Sequence, residues 1–271
     1  MPYVDVAPGV RMAYEDRGTG CPLVFVHGWG GSGDVWDYQV LDLADRFRVI
    51  TVDLRGHGAS DKPWGDYGYA TFCADLATLM RELSLEDVTL VGWSMGGHIG
   101  LKFVQTIGAP VARLVLTGSG PRFLQAADAP YGGPEDSAQA LCDAVRFSRV
   151  ETIQGLYGRN FHRTDLAPTR DWMIRIGLQV PAFVGLKSFE ALLAEDLRPG
   201  LADLTIPVAV FCGRHDEIWD PRWSEAAAKD IPGASLTYFE NSGHVPFIED
   251  APPGAPLWPS SSPVADFITG G

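Results

Sequence analysis

The chain has 271 residues, 46% of them apolar and 20% charged, with a formal charge of −13. That is enough apolar sequence to bury a sizeable core, in one elaborated α/β domain or two small ones, and such acidity excludes nucleic acids and anionic membranes, which need positive surface. No apolar run approaches the roughly 18 residues of a membrane span, and "MPYVDVAPGVRMAYEDRG" lacks the basic start and apolar stretch of a secretory signal, so a soluble cytoplasmic protein is expected.

In chain order, "MAYEDRG" near the start reads as an antiparallel edge strand, followed by short apolar runs at 22–28 ("PLVFVHG"), 48–54 ("RVITVDL"), 88–93 ("VTLVGW") and 113–119 ("RLVLTGS"). These runs are continuous rather than alternating, as in parallel strands buried on both faces. Helical spacing appears at 71–83, where Phe72, Leu76, Leu79, Met80 and Leu83 form an apolar stripe, and again at 95–107. From 122 to 200 the strand rhythm stops and helical sequence with scattered aromatics takes over; two more strands follow, "PVAVFCG" at 207–213 and "SLTYFEN" at 235–241. Within the insertion, "GRNFHRTDLAPTRDWMIR" at 158–175 reads as a solvated basic helix surface. A proline- and serine-rich loop is expected at 251–263 and a short helix at 264–268. The fold class predicted is α/β, a mostly parallel sheet flanked by helices. Residues 1–121 and 201–271 would make the core, and 122–200 a helical cap over the carboxyl ends of the strands, where such sheets bind ligands. Cys21, Cys73, Cys142 and Cys212 are widely spaced and read as reduced core thiols.

The chemistry centres on "GWSMGG" at 92–97, where a strand meets a helix. Gly92 and Gly96 would permit a sharp turn that lifts Ser94 clear of the sheet, beside the free N–H groups of the following helix. A serine hydroxyl needs a base, and the base needs a carboxylate to hold its tautomer. His244 lies just beyond the run "SLTYFEN" and Asp216 just beyond "PVAVFCG", with Glu217 and Asp220 as rival acids. An oxyanion hole is expected from the backbone N–H groups of Met95 and of Trp29, in "HGWGGSGDVW". Trp93, Trp219 and Phe123 are candidates for the pocket wall. His57, His98 and Asp53 are read as structural.

With "HGWGGSGDVW", "DLRGHGASDKP", "GWSMGGHIG", "GRHDEIWDP" and "NSGHVPFIED" in this order, the chain resembles the α/β-hydrolase superfamily over about residues 10–250. Trp29, Trp36, Tyr38 and Gln39 with "SDKPW" and "VTLVGWSMGG" make it most similar to the cofactor-free haloperoxidase and aryl-esterase branch. The resemblance implies a serine hydrolase acting on a small-molecule ester or lactone through a Ser94–His244–Asp216 triad, with no metal or organic cofactor. It leaves perhydrolase, thioesterase and C–C bond hydrolase as alternatives on the same residues, and a non-catalytic ligand receptor as a remote one. Gly30, rather than proline, after Trp29 favours hydrolysis over peracid formation. Nothing in the sequence argues against a homo-oligomer.

Overall fold

The computed structural model describes residues 1–250 and 267–268. Among them eight strands form one sheet: Tyr3–Ala7 (β1), Val10–Arg17 (β2), Pro22–Val26 (β3), Arg48–Val52 (β4), Val88–Trp93 (β5), Val111–Thr117 (β6), Val208–Gly213 (β7) and Ser235–Phe239 (β8). Their order is β1-β2-β4-β3-β5-β6-β7-β8. β1 and β2 pair antiparallel, as do β2 and β4, and every later pairing is parallel. The six runs read as parallel strands are all present. The first strands differ from expectation: β2 lies inside the sheet, and the edge belongs to β1, a short strand with no continuous apolar run to announce it.

All six residues of β5 and of β7 are buried. Helices on both sides of the interior strands remove the solvent face that would call for alternation. Asp37–Leu43 (α1) follows a 3₁₀ turn at Gly33–Trp36. Tyr69–Glu82 (α2) buries Phe72, Leu76, Leu79 and Met80, while Leu83, just past its end, is half-buried. Met95–Thr106 (α3) packs against β5 and β6. Between β6 and β7 come Glu135–Phe147 (α4), Arg149–Gly158 (α5), Ala167–Gly177 (α6) and Ala182–Ala194 (α7), packed as α4 on α5 and α7, and α5 on α6. Pro134 and Pro181 precede α4 and α7, and Glu135 and Asp136 sit at the positive end of α4, the arrangement that favours helix initiation. Pro221–Asp230 (α8) covers β7 and β8, and Pro246–Glu249 (α9) closes the described core.

Two loops are fixed by buried carboxylates. Asp53 accepts from the backbone N–H groups of Gly33 and Ala59, each at 2.7 Å, clamping the loops after β3 and β4 together. Arg55 forks onto Asp75 of α2 at 2.5 and 2.6 Å, the paired geometry a buried guanidinium requires. Cys73, Cys142 and Cys212 are buried free thiols; Cys21 is exposed instead of core, because it lies in the turn before β3 enters the sheet. The expected 251–263 loop lies outside the described residues; of the short helix at 264–268, Phe267 and Ile268 are described and are helical. No single helix among the described residues is long and apolar enough to cross a membrane.

Candidate active site

β5 occupies the middle of the sheet, its Gly92 registered between Val26 of β3 and Leu116 of β6. The chain leaves this strand through Ser94 at φ 55° and ψ −122° and enters α3 at Met95. A non-glycine residue at positive φ is strained, and the surroundings hold it there: the Ser94 N–H donates to Thr117 O at 2.9 Å, and its carbonyl accepts from Ser119 Oγ at 2.8 Å and His98 N at 3.1 Å. A Cβ at Gly92 would fall on the backbone of Gly96 and Gly97, and one at Gly96 on the carbonyl oxygens of Val26 and His27. Only glycine permits so tight a return of helix onto strand.

Ser94 and His244 line one cavity of about 40 Å³. His244, in the turn after β8, places Nδ1 2.8 Å from Asp216 Oδ2, with both side chains almost wholly buried. Asp216 Oδ1 meanwhile accepts from the N–H groups of Ile218 and Trp219 at 2.8 and 2.9 Å, which fixes the plane of the carboxylate. An ionised carboxylate only accepts, so Nδ1 of His244 carries the proton and Nε2 keeps its lone pair. The rival acids are elsewhere. Asp220 caps α8 and is bound by Arg222, whose guanidinium holds its carboxyl below the usual carboxylate range; Glu217 is exposed.

The histidine is tied down by its main chain. Its N–H donates to Asn160 O at 2.8 Å and its carbonyl accepts from Trp93 Nε1 at 2.9 Å. Next to it, Gly243 N–H donates to the buried carboxylate of Glu249 at 2.6 Å; the other oxygen of that carboxylate takes Arg163 N–H at 2.7 Å. The connection between α5 and α6 is thus sewn to the His244 turn, and the stretch read from sequence as a solvated basic surface carries structural contacts.

Trp29 and Met95 are the positions expected from the sequence to hold an oxyanion. Neither backbone N–H has a protein acceptor among the described residues, and Met95 is the first residue of α3, where free N–H groups and the positive dipole end coincide. Trp29 is fastened from the inserted helices: its Nε1 donates to Gly185 O of α7, and Tyr157 Oη of α5 donates to its carbonyl, both at 2.8 Å. Replacing Tyr157 by Phe leaves that buried carbonyl without a partner, and urea titration is expected to show a loss of about 1–3 kcal/mol. An unchanged midpoint would mean that Tyr157 does not support Trp29.

Of the expected pocket residues, Trp93 and Phe123 line the cavity. Trp219 is a correction. It is buried, packed edge-on against His98 and Phe123 with ring centroids 5.4 and 5.2 Å away, and its neighbour Ile218 reaches the cavity instead. The turn around Asp216 Oδ1 sets which of the two faces inward. Sequence reasoning did not single out Asn160, Leu141, Leu156 or Leu192, which complete the lining with Tyr157 and Phe189; they come from helix faces whose orientation only packing decides.

The remaining inner histidines are committed to structure. His98 accepts from Tyr69 Oη at 2.9 Å and donates Nε2–H to Pro121 O at 3.1 Å. His27 accepts from Leu54 N–H and donates to Gly28 O, and His57 donates Nδ1–H to Arg55 O. Burial pushes His27 and His98 down to about 4 and His57 to about 3, so all three are neutral at pH 7.

A mostly parallel sheet with a serine turned out of its central strand, beside a histidine and carboxylate delivered by later strands, is the architecture of the α/β hydrolases. The chain belongs to that family: the profile described as alpha/beta hydrolase fold matches residues 22–251. It is 33% identical to an AB hydrolase superfamily protein of Bacillus subtilis over 92% of this chain and 94% of that one. It is 31% identical to a non-heme chloroperoxidase of Kitasatospora aureofaciens over 90% and 92% of the two chains, which bears out the resemblance to the haloperoxidase branch. Among solved structures, an esterase from Exiguobacterium antarcticum superposes with a TM-score of 0.88 at 32% identity, covering 91% of this chain and 93% of that one.

Proposed function

We propose that the protein is a serine hydrolase that cleaves a small-molecule carboxylic ester or lactone through an acyl-enzyme on Ser94. The observation that carries this reading is the His244–Asp216 hydrogen bond, with His244 and Ser94 lining one apolar cavity. Nε2 of His244 takes the Ser94 proton as Oγ attacks the acyl carbon. The N–H groups of Trp29 and Met95 and the positive end of α3 meet the negative oxygen that forms. Collapse breaks the bond to the leaving oxygen, which receives the proton from His244; a lactone's leaving oxygen stays tethered to the acyl group. Water, deprotonated by His244, then adds to the acyl carbon, and the acid departs as Ser94 regains its proton. Asp216 remains ionised throughout and stabilises the imidazolium.

Kinship with a chloroperoxidase supports a second outcome of the same acyl-enzyme, in which hydrogen peroxide replaces water and a peracid leaves. Gly30 stands at φ 70°, a conformation closed to proline, so the oxyanion loop here has a glycine-specific form, and we assign hydrolysis as the main activity.

A fluorophosphonate probe tests the assignment. Expected is one label per chain, on the peptide bearing Ser94, with p-nitrophenyl acetate turnover lost in proportion to labelling. Labelling at another residue, or full labelling with turnover intact, overturns it.

A further inference from the structure

We infer that Asn160 is a specificity-determining residue, whose side-chain amide recognises an oxygen carried on a short acyl group; the inference rests on the ester- or lactone-hydrolase reading above. The cavity around Ser94 is walled by aromatic and aliphatic side chains, and its polar lining residues are Ser94, His244, Tyr157 and Asn160. The first two are assigned to the reaction, and the Tyr157 hydroxyl is spent on Trp29 O. Asn160 differs. Its main chain is satisfied, with N–H donating to Tyr157 O at 3.3 Å and the carbonyl accepting from His244 N at 2.8 Å. Its side chain, in a residue only 3% exposed, makes no hydrogen bond to any described residue.

A primary amide offers two donors and two lone pairs, and neither polar atom of Asn160 is among the fully buried ones left without a partner, so the amide keeps access to water or a ligand. In a ligand site the few polar groups set among apolar walls are the ones that orient the ligand. Asn160 lines the same cavity as Ser94 and His244, and its carbonyl accepts from His244 N–H.

The two adjoining cavities say which part of the substrate it meets. The one at Ser94, at about 40 Å³, has room for about three water-sized groups, which suits an acyl chain of two or three heavy atoms beyond the carbonyl carbon. A second cavity of about 410 Å³ shares Phe123, Leu141, Leu156 and Ile218 with it, is bordered by Arg159 and Glu217, and touches neither Ser94 nor His244. The alcohol leaves first, while the acyl group stays bonded to Ser94 until water arrives. The cavity that holds Ser94 and His244 therefore takes the acyl group and the larger neighbouring one the departing group. The substrate class is a short ether-, hydroxy- or oxo-acyl ester, or the equivalent lactone.

The test compares kcat/KM for p-nitrophenyl methoxyacetate and p-nitrophenyl butyrate, which differ by oxygen in place of one methylene. Measurements are made on wild type, Asn160→Ala and Asn160→Asp at pH 8, with folding checked by thermal melting. Taking the methoxyacetate-to-butyrate ratio between proteins cancels the ether ester's greater intrinsic reactivity. The ratio is expected to fall roughly tenfold in Asn160→Ala, the size of one neutral hydrogen bond. It should fall also in the isosteric Asn160→Asp, whose carboxylate cannot donate to an ether oxygen. A purely structural role for Asn160 would lower both esters together and leave the ratio unmoved, which overturns the inference. Failure of wild type to hydrolyse either ester overturns the hydrolase reading, and this inference with it.

Discussion

Ser94→Ala is expected to lower kcat/KM for a p-nitrophenyl ester by on the order of 10⁴- to 10⁶-fold while leaving the unfolding midpoint almost unchanged. The fold should tolerate the change because Ser94 is anchored through its main chain, by Thr117, Ser119 and His98, and alanine at φ 55° bears the same strain. Asp216→Asn makes the sharper test. The asparagine oxygen can keep the bonds from Ile218 and Trp219 N–H, which turns the NH₂ group toward Nδ1 of His244. That nitrogen must then accept, the ring proton moves to Nε2, and the imidazole can no longer take a proton from Ser94. A loss of roughly 10⁴-fold is expected, with little further loss when Ser94→Ala is added, since the groups act as one unit. Losses that multiply, or an Asp216→Asn protein with near-normal turnover, would separate Asp216 from the reaction.

Ser94 and Asp216 were legible because each follows a strand buried on both faces, whose apolar run marks where the chain emerges; His244 follows the half-buried edge strand β8 and was legible from the order serine, acid, histidine at successive strand ends. Gly92 and Gly96 added a steric reason for the turn, and the contacts a Cβ would meet there bear it out. Asn160 was not legible. It belongs to a polar, basic stretch whose composition matches a solvated surface, and its position comes from a hydrogen bond to His244, far along the chain. Trp219 was misplaced for a related reason: in a loop no periodicity tells which neighbour faces in, and the turn around the Asp216 carboxylate sends Ile218 to the cavity. The edge strand β1 was missed because "YVDVA" alternates exposure over only five residues, too short a pattern to separate from a loop.

Acidification is expected to destabilise the fold through His27, His57 and His98. Above about pH 6.5 these imidazoles are neutral in both the folded and the unfolded chain. Below it the unfolded chain takes up protons that the folded one refuses until about pH 4 at His27 and His98 and about pH 3 at His57. Stability therefore falls as pH drops through this window, because the unfolded state binds more protons. Desolvation is the main cause at each; at His57 the neighbouring His27, 4.9 Å away ring to ring, adds repulsion. His57 alone should account for a loss on the order of 3–5 kcal/mol by pH 3. Part of the total is offset, since burial raises the carboxyl groups of Asp53, Asp75 and Glu249, which take up protons more readily in the folded chain. His57→Asn isolates the contribution of His57. The asparagine NH₂ can replace Nδ1–H in donating to Arg55 O, cannot titrate, and removes the buried Nε2 that has no partner among the described residues. Urea titrations at pH 7.5, 5.5 and 4.5 should give a clearly shallower decline for His57→Asn than for wild type. Parallel declines would remove His57 from the acid sensitivity and leave it to His27, His98 and the carboxylates that arginines hold low, such as Asp196 and Asp220.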